Sequence, residues 1–150
     1  IMEEELLAAL NRVNRKEEGE VEVLVIDDQA DDILLIRRML EAQHRYRVTE
    51  ADGGQAGIDL VHERKPDIVI LDLMMPEVDG FAVLEDLKRE SDTRDIPVVV
   101  ITAKELTEEE QQRLNGQVEV LLRKGLFTEQ ELLEDLGKAL ISIESGQPET

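Results

Sequence analysis

The chain has 150 residues, enough for one domain with a real core and short extensions. It carries 17 basic against 36 acidic residues, a net charge of −19, which argues against nucleic-acid binding because that relies on Lys and Arg to neutralise phosphates. It has no cysteine, which removes disulfides, thiol catalysis and cysteine metal sites, and no apolar run of membrane-spanning length. With no signal peptide visible, the expected location is the cytoplasm, with no membrane association.

Residues 1–16 have a helical pattern, with Leu6, Leu7, Leu10 and Val13 on one face, and residues 15–20 read as a polar linker. The pattern E-x-E-L-L-x-x-L at 3–10 recurs at 129–136. The first copy is therefore either the last helix of a similar domain upstream, or an amphipathic linker helix. In both cases its apolar face needs a partner, on its own domain or on a second chain.

Residues 21–26 form a short β-branched apolar run, the first strand. Ile33, Leu34, Ile36 and Leu40 carry helical spacing after a start near Asp31. Residues 47–50 are a weaker strand. Ala56, Ile58, Leu60 and Val61 mark a helix after Gly53 and Gly54. Residues 67–71 are a strong strand, followed by a helix through Phe81, Val83, Leu84 and Leu87. Residues 96–101 are again a strong strand, then a short acidic helix runs from Thr107 to Leu114 and stops at Asn115 and Gly116. Residues 118–122 form a moderate strand. Leu132, Leu133, Leu136 and Leu140 define the last helix, with Thr128 and Glu131 spaced as a capping box. Residues 21–143 thus form the domain, and 144–150 read as a polar tail.

Five alternating β and α units imply a doubly wound parallel sheet with helices on both faces. In such folds function sits outside the carboxyl ends of the strands. Those ends carry Asp27 and Asp28, then Asp72, then Thr102 and Ala103, then Lys124. A lone Asp after a strand is usually a helix cap. The joint placement of acids, a hydroxyl and an ammonium at one sheet edge is hard to explain as capping. Three clustered carboxylates repel one another and want a cation. Oxygen ligands without His or Cys suit Mg²⁺. A carboxylate beside Mg²⁺ can attack phosphorus, while Lys124 and Thr102 donate to phosphoryl oxygens.

With these residues in view, the chain resembles the receiver domain of response regulators (the CheY-like superfamily) over about residues 21–141. The resemblance is carried by Asp27-Asp28, by Leu71-Asp72-Leu73-Met74-Met75-Pro76 with Asp79-Gly80, by Thr102-Ala103, and by Lys124. It implies a flavodoxin-like five-stranded parallel sheet of order 2-1-3-4-5. It implies a phosphoacceptor domain of a two-component phosphorelay, receiving a phosphoryl group from a histidine kinase or histidine phosphotransfer domain, with no catalysis beyond its own phosphorylation and dephosphorylation. Asp72 is then the phosphoacceptor. Mg²⁺ is bound directly by Asp28 and Asp72, through water by Asp27, and by the backbone carbonyl of Met74. The segments 102–107, 113–116 and 124–125 are similar to receivers attached to hybrid sensor kinases. Self-association is expected through the N-terminal helix or the face of the fourth helix, fifth strand and fifth helix.

Two positions depart from the family. Gly125 follows Lys124 where proline is usual, and a trans bond is expected there because a cis bond without proline costs about 3 kcal/mol. Leu121 stands where an aromatic switch residue is common, so output is expected without a ring flip. Other motifs weigh less. His62-Glu63 has Pro66 at the wrong interval for a phosphorylated histidine helix and reads as helix surface, and His44 reads as solvated. Met74 replaces the second acid that haloacid-dehalogenase-like phosphatases need, and Met74 and Met75 read as packing residues. The alternative function is a receiver-like interaction module that never sees phosphate.

Overall fold

The computed structural model describes residues 20–124 and 129–145. The helix expected at residues 1–16, the bond expected to be trans between residues 124 and 125 and the cap expected at Thr128 therefore lie outside the described residues. Five strands alternate with five helices: β1 (Val21–Ile26), α1 (Ala30–Glu41), β2 (Tyr46–Ala51), α2 (Gly54–Arg64), β3 (Ile68–Leu71), α3 (Gly80–Arg89), β4 (Val98–Thr102), α4 (Glu108–Leu114), β5 (Val120–Arg123) and α5 (Glu129–Ser145). All pairings are parallel and the order is β2-β1-β3-β4-β5, as the resemblance implies.

Pleat parity divides the core. On one face Leu24, Ile26, Val69, Leu71, Val98 and Val100 pack against Val61 of α2, Val83 and Leu87 of α3 and Leu114 of α4. On the other, Val23, Val25, Ile68, Ile70, Val99 and Ile101 pack against Ile33, Ile36 and Leu40 of α1 and Leu136 and Leu140 of α5. The central strands are buried on both sides, which is why they read as unbroken apolar runs. Local signals set the ends. Thr107 and Glu110 close a reciprocal capping box on α4, and Gly116 takes φ +82° just past its end. Asp79 caps α3 by accepting from the N–H of Ala82.

Gly80 shows how tightly α3 is seated beneath the third strand end. A Cβ there would lie 2.4 Å from the Asp72 carbonyl oxygen and 2.6 Å from Leu73 Cα, so only glycine permits this approach of backbone to backbone.

The last helix runs past the expected boundary of the polar tail. Glu144 lies inside it and is 5% exposed, and its Oε2 accepts from Tyr46 Oη at 2.7 Å, tying α5 to β2. Burial pushes the Glu144 carboxyl up to about 6, against the hydrogen bond from Tyr46 and the charge of Arg45. A carboxyl raised in the folded state contributes stability below its unfolded pKa, and that contribution is lost as pH rises through about 6. Asp27 is raised to about 6 as well and acts in the same direction. Glu144→Gln is expected to flatten the fall in unfolding free energy between pH 4.5 and 6.5 by about 1–2 kcal/mol, leaving the share of Asp27. Urea unfolding across that range measures it; a slope identical to wild type would show that Glu144 does not titrate there.

Candidate functional site

The carboxyl ends of β1, β3, β4 and β5 open onto a cleft of about 690 Å³, lined among others by Asp28, Asp72, Met74, Ala103, Lys104 and Lys124. Parity aims the side chains. Asp27, Asp72 and Lys124 continue the alternation that faces α1 and α5, as Val25, Ile70 and Leu122 do before them. They meet: Lys124 Nζ donates to Asp27 Oδ2 at 2.9 Å and to Asp72 Oδ2 at 3.0 Å. A third acceptor is Asp32 Oδ2 of α1, at 2.7 Å. Asp27 and Asp72 are 3% and 5% exposed, so these are charges removed from water and paired, not surface ion pairs.

The backbone supports both acids. Asp27 Oδ1 accepts from Gln29 N–H at 2.9 Å, and Asp72 Oδ1 accepts from Met74 N–H at 3.1 Å. Burial drives the Asp27 carboxyl up to about 6. The Gln29 and Lys124 donors pull against that rise and the neighbouring Asp72 charge adds to it. Burial pulls the Lys124 ammonium down, yet its bonds to Asp32, Asp27 and Asp72 outweigh this and hold its pKa above that of an ordinary lysine.

Asp28 completes an acidic triad. Carboxylate oxygens of Asp27, Asp28 and Asp72 all lie within 4.8 Å of one another. Asp28 Oδ1 is inaccessible to solvent and accepts no hydrogen bond among the described residues. A buried, unpaired carboxylate oxygen beside two more carboxylates is costly as it stands, and it fits a hard, oxygen-seeking divalent cation such as Mg²⁺.

Thr102 is fully buried, and parity sends it toward the α3 and α4 side. Its Oγ1 accepts from Lys104 N–H at 3.1 Å, and it is not part of the set around Lys124. The expectation that Met74 is a packing residue is corrected: its side chain is 52% exposed at the mouth of the cleft, whereas Met75 is buried. Residue 75 faces the core cluster under α3. His62 is more than helix surface, since its Nε2 lies 2.6 Å from Asp86 Oδ2 and joins α2 to α3. Leu121 faces a groove between α4 and β5 with Leu114 and Val118.

Sequence reasoning missed Asp32 and the rim formed by α4. Arg113 stacks over Phe81 at 4.5 Å and pairs with Glu85 at 2.9 Å, while Lys104 approaches Glu110 at 3.4 Å. The signal for Asp32 was its place one helical turn after Asp28. An acid in the first turn of a helix is, however, accounted for by the helix dipole alone.

A family model described as the response regulator receiver domain matches residues 23–136, and the chain belongs to that family. It is a phosphoacceptor signalling domain of two-component systems, a class that works with histidine kinases or phosphotransfer proteins. The protein PilH of Pseudomonas aeruginosa is 34% identical over 83 residues, covering 55% of this chain and 68% of PilH. The response regulator PleD of Caulobacter vibrioides is 42% identical over 81 residues, covering 54% of this chain but 18% of PleD. The chain therefore spans only a small part of some relatives. Among solved structures, the N-terminal domain of a response regulator receiver protein from Methanoculleus marisnigri superposes with TM-score 0.65 at 35% identity, covering 80% of this chain and 96% of that one. The receiver domain of a Pseudomonas aeruginosa sensor histidine kinase, with a magnesium ion in its active-site cleft, shares the fold at TM-score 0.70 and 21% identity, covering 85% and 99%. Among the described residues no helix is long and apolar enough to cross a membrane.

Proposed function

We propose that Asp72 is the phosphoacceptor, that Mg²⁺ is held by Asp28 and Asp72 with Asp27 acting through water and the Met74 carbonyl as a further ligand, and that a histidine kinase or phosphotransfer domain is the donor. The observation that carries this is the convergence of three carboxylates on one point, with the orphaned Asp28 Oδ1 among them, beside Lys124. An oxygen of Asp72 forms a bond to phosphorus as the bond from phosphorus to the donor's leaving atom breaks, and the leaving group departs with the electron pair of that bond. Mg²⁺ held there would supply neutralisation of charge on the transferring group. Lys124 turns an N–H toward a phosphoryl oxygen, and the Thr102 hydroxyl, whose oxygen already accepts from Lys104, donates its proton to another. Ala103 is small and leaves the phosphorus open.

The output follows the ends of β4 and β5, because both donors sit there. The groove between α4 and β5 that holds Leu121 supports a readout on that face by backbone shift, without an aromatic ring. The net charge of −19 weighs against a nucleic-acid partner, whose phosphates need Lys and Arg.

Mg²⁺ titration with thermal melting tests the metal assignment. The wild type is expected to gain about 1.4 kcal/mol at ten times Kd, a rise of a few degrees in Tm, and Asp28→Ala to lose that rise together with phosphoryl uptake from phosphoramidate. An unchanged Mg²⁺ response in Asp28→Ala would refute it.

A further inference from the structure

Lys124 has three ammonium protons and directs them at three carboxylates, yet only two of these belong to the acidic triad. The third, Asp32, sits in the first turn of α1 beside Asp31 and makes the shortest bond, 2.7 Å against 2.9 and 3.0 Å. It is also the wettest of the three, with a side chain 34% exposed against 4% and 5% for Asp27 and Asp72. On the far side of this pair lies an apolar recess of about 280 Å³ between α1 and α5, lined by Leu35, Ile101 and Leu132. Asp32 and Lys124 therefore form a wall shared by the recess and the phosphorylation cleft.

We propose that Asp32 is a positioning residue that holds Lys124 toward α1 and so keeps Asp27 and Asp72 available to a divalent cation. The inference rests on the phosphoacceptor reading and adds a residue to it. An ammonium and a metal ion compete for the same oxygens. Without Asp32 the third N–H has no carboxylate, and the ammonium, already 2.9 and 3.0 Å from Asp27 and Asp72, closes further on them and neutralises more of the charge that attracts the metal. With Asp32 present, the positive charge is shared three ways and an added negative charge lies nearby. Both effects favour the cation. Phosphoryl uptake then requires little rearrangement. The Asp72 oxygen bonded to phosphorus in the acyl phosphate loses its charge, the N–H on that side turns to a phosphoryl oxygen, and the bond to Asp32 persists as the pivot.

Three variants separate position from general charge: Asp32→Asn, Asp32→Glu and Asp31→Asn, the last removing an exposed charge from the same helical turn. Two readouts are taken, the ¹⁵N-edited signal of the Lys124 ammonium without metal, and Mg²⁺ affinity by titration. Asp32→Asn is expected to move the ammonium signal, speed its proton exchange and weaken Mg²⁺ about three- to tenfold. Asp31→Asn is expected to leave the signal in place and change affinity by less than about twofold. Asp32→Glu should restore much of both. An ammonium signal unmoved in Asp32→Asn, or equal losses of Mg²⁺ affinity in Asp31→Asn and Asp32→Asn, would overturn the proposal. A wild-type protein that takes no Mg²⁺ overturns the phosphoacceptor reading instead. The metal-free ammonium signal still decides whether Asp32 positions Lys124.

Discussion

Asp72→Asn is expected to take up no phosphoryl group from phosphoramidate or acetyl phosphate with Mg²⁺, while remaining folded. An amide oxygen is too weak a nucleophile to attack phosphorus, and the substitution keeps the shape of the side chain. Stability should stay within about 1 kcal/mol of wild type, because two effects oppose each other. Loss of one charge relieves repulsion in a cluster where Asp27, Asp32 and Asp72 share one ammonium and Asp28 lies beside Asp27 and Asp72. Against that, Asp72 now accepts from Lys124 with one oxygen and from Met74 N–H with the other, and an amide has only one acceptor for the two. Intact-mass measurement reads the phosphoryl group and urea unfolding reads the fold. A variant that still gains the phosphoryl mass would place the acceptor elsewhere.

Lys124→Met should be the most damaging single change to the resting domain. Its side chain is 16% exposed and holds three carboxylates, two of them almost fully buried. Methionine fills most of the volume but leaves those charges without a cation. Removing one member of a buried charge set costs about 3–5 kcal/mol, far more than a surface pair. The pH dependence gives a second signature. Asp27 is already raised to about 6 with Lys124 beside it, and without that charge its carboxyl rises further. A carboxyl raised in the folded state loses its contribution as pH rises through the folded value, so the variant should recover stability as pH falls from 7.5 toward 5.5, more steeply than wild type. Mg²⁺ should also recover more stability in the variant, since it becomes the main cation in reach of the triad. Equal stability and an equal Mg²⁺ response in the two proteins would show that the Lys124 contacts contribute little to the fold.

Much of this was legible in the residue order, for local reasons. Strand positions follow from β-branched apolar runs, and α4 from a capping box that needs only Thr107 and Glu110. The acids, the hydroxyl and the lysine could be placed at strand ends because each lies one or two residues past an apolar run. Orientation was less legible. Thr102 and Asp72 both end strands, but the pleat sends them to opposite sides, and Thr102 spends its oxygen on Lys104 N–H. Met74 and Met75 are adjacent and chemically identical, yet in the loop after β3 one is exposed and the other buried.

The sequence by itself determined the alternation of elements, the order in which chemistry-bearing residues leave the sheet, and the family to which they belong. These depend on periodicity and on residues close together in the chain. Only the tertiary structure decided which side chains meet. Asp32 and Lys124 are 92 positions apart, and Tyr46 and Glu144 are 98 apart. Neither pair leaves a local trace, since an acid in a first helical turn and an acid near a chain end are both ordinary when solvated. They become a lysine anchor and a buried hydrogen bond because the order β2-β1-β3-β4-β5 lays α1 and α5 side by side on one face of the sheet.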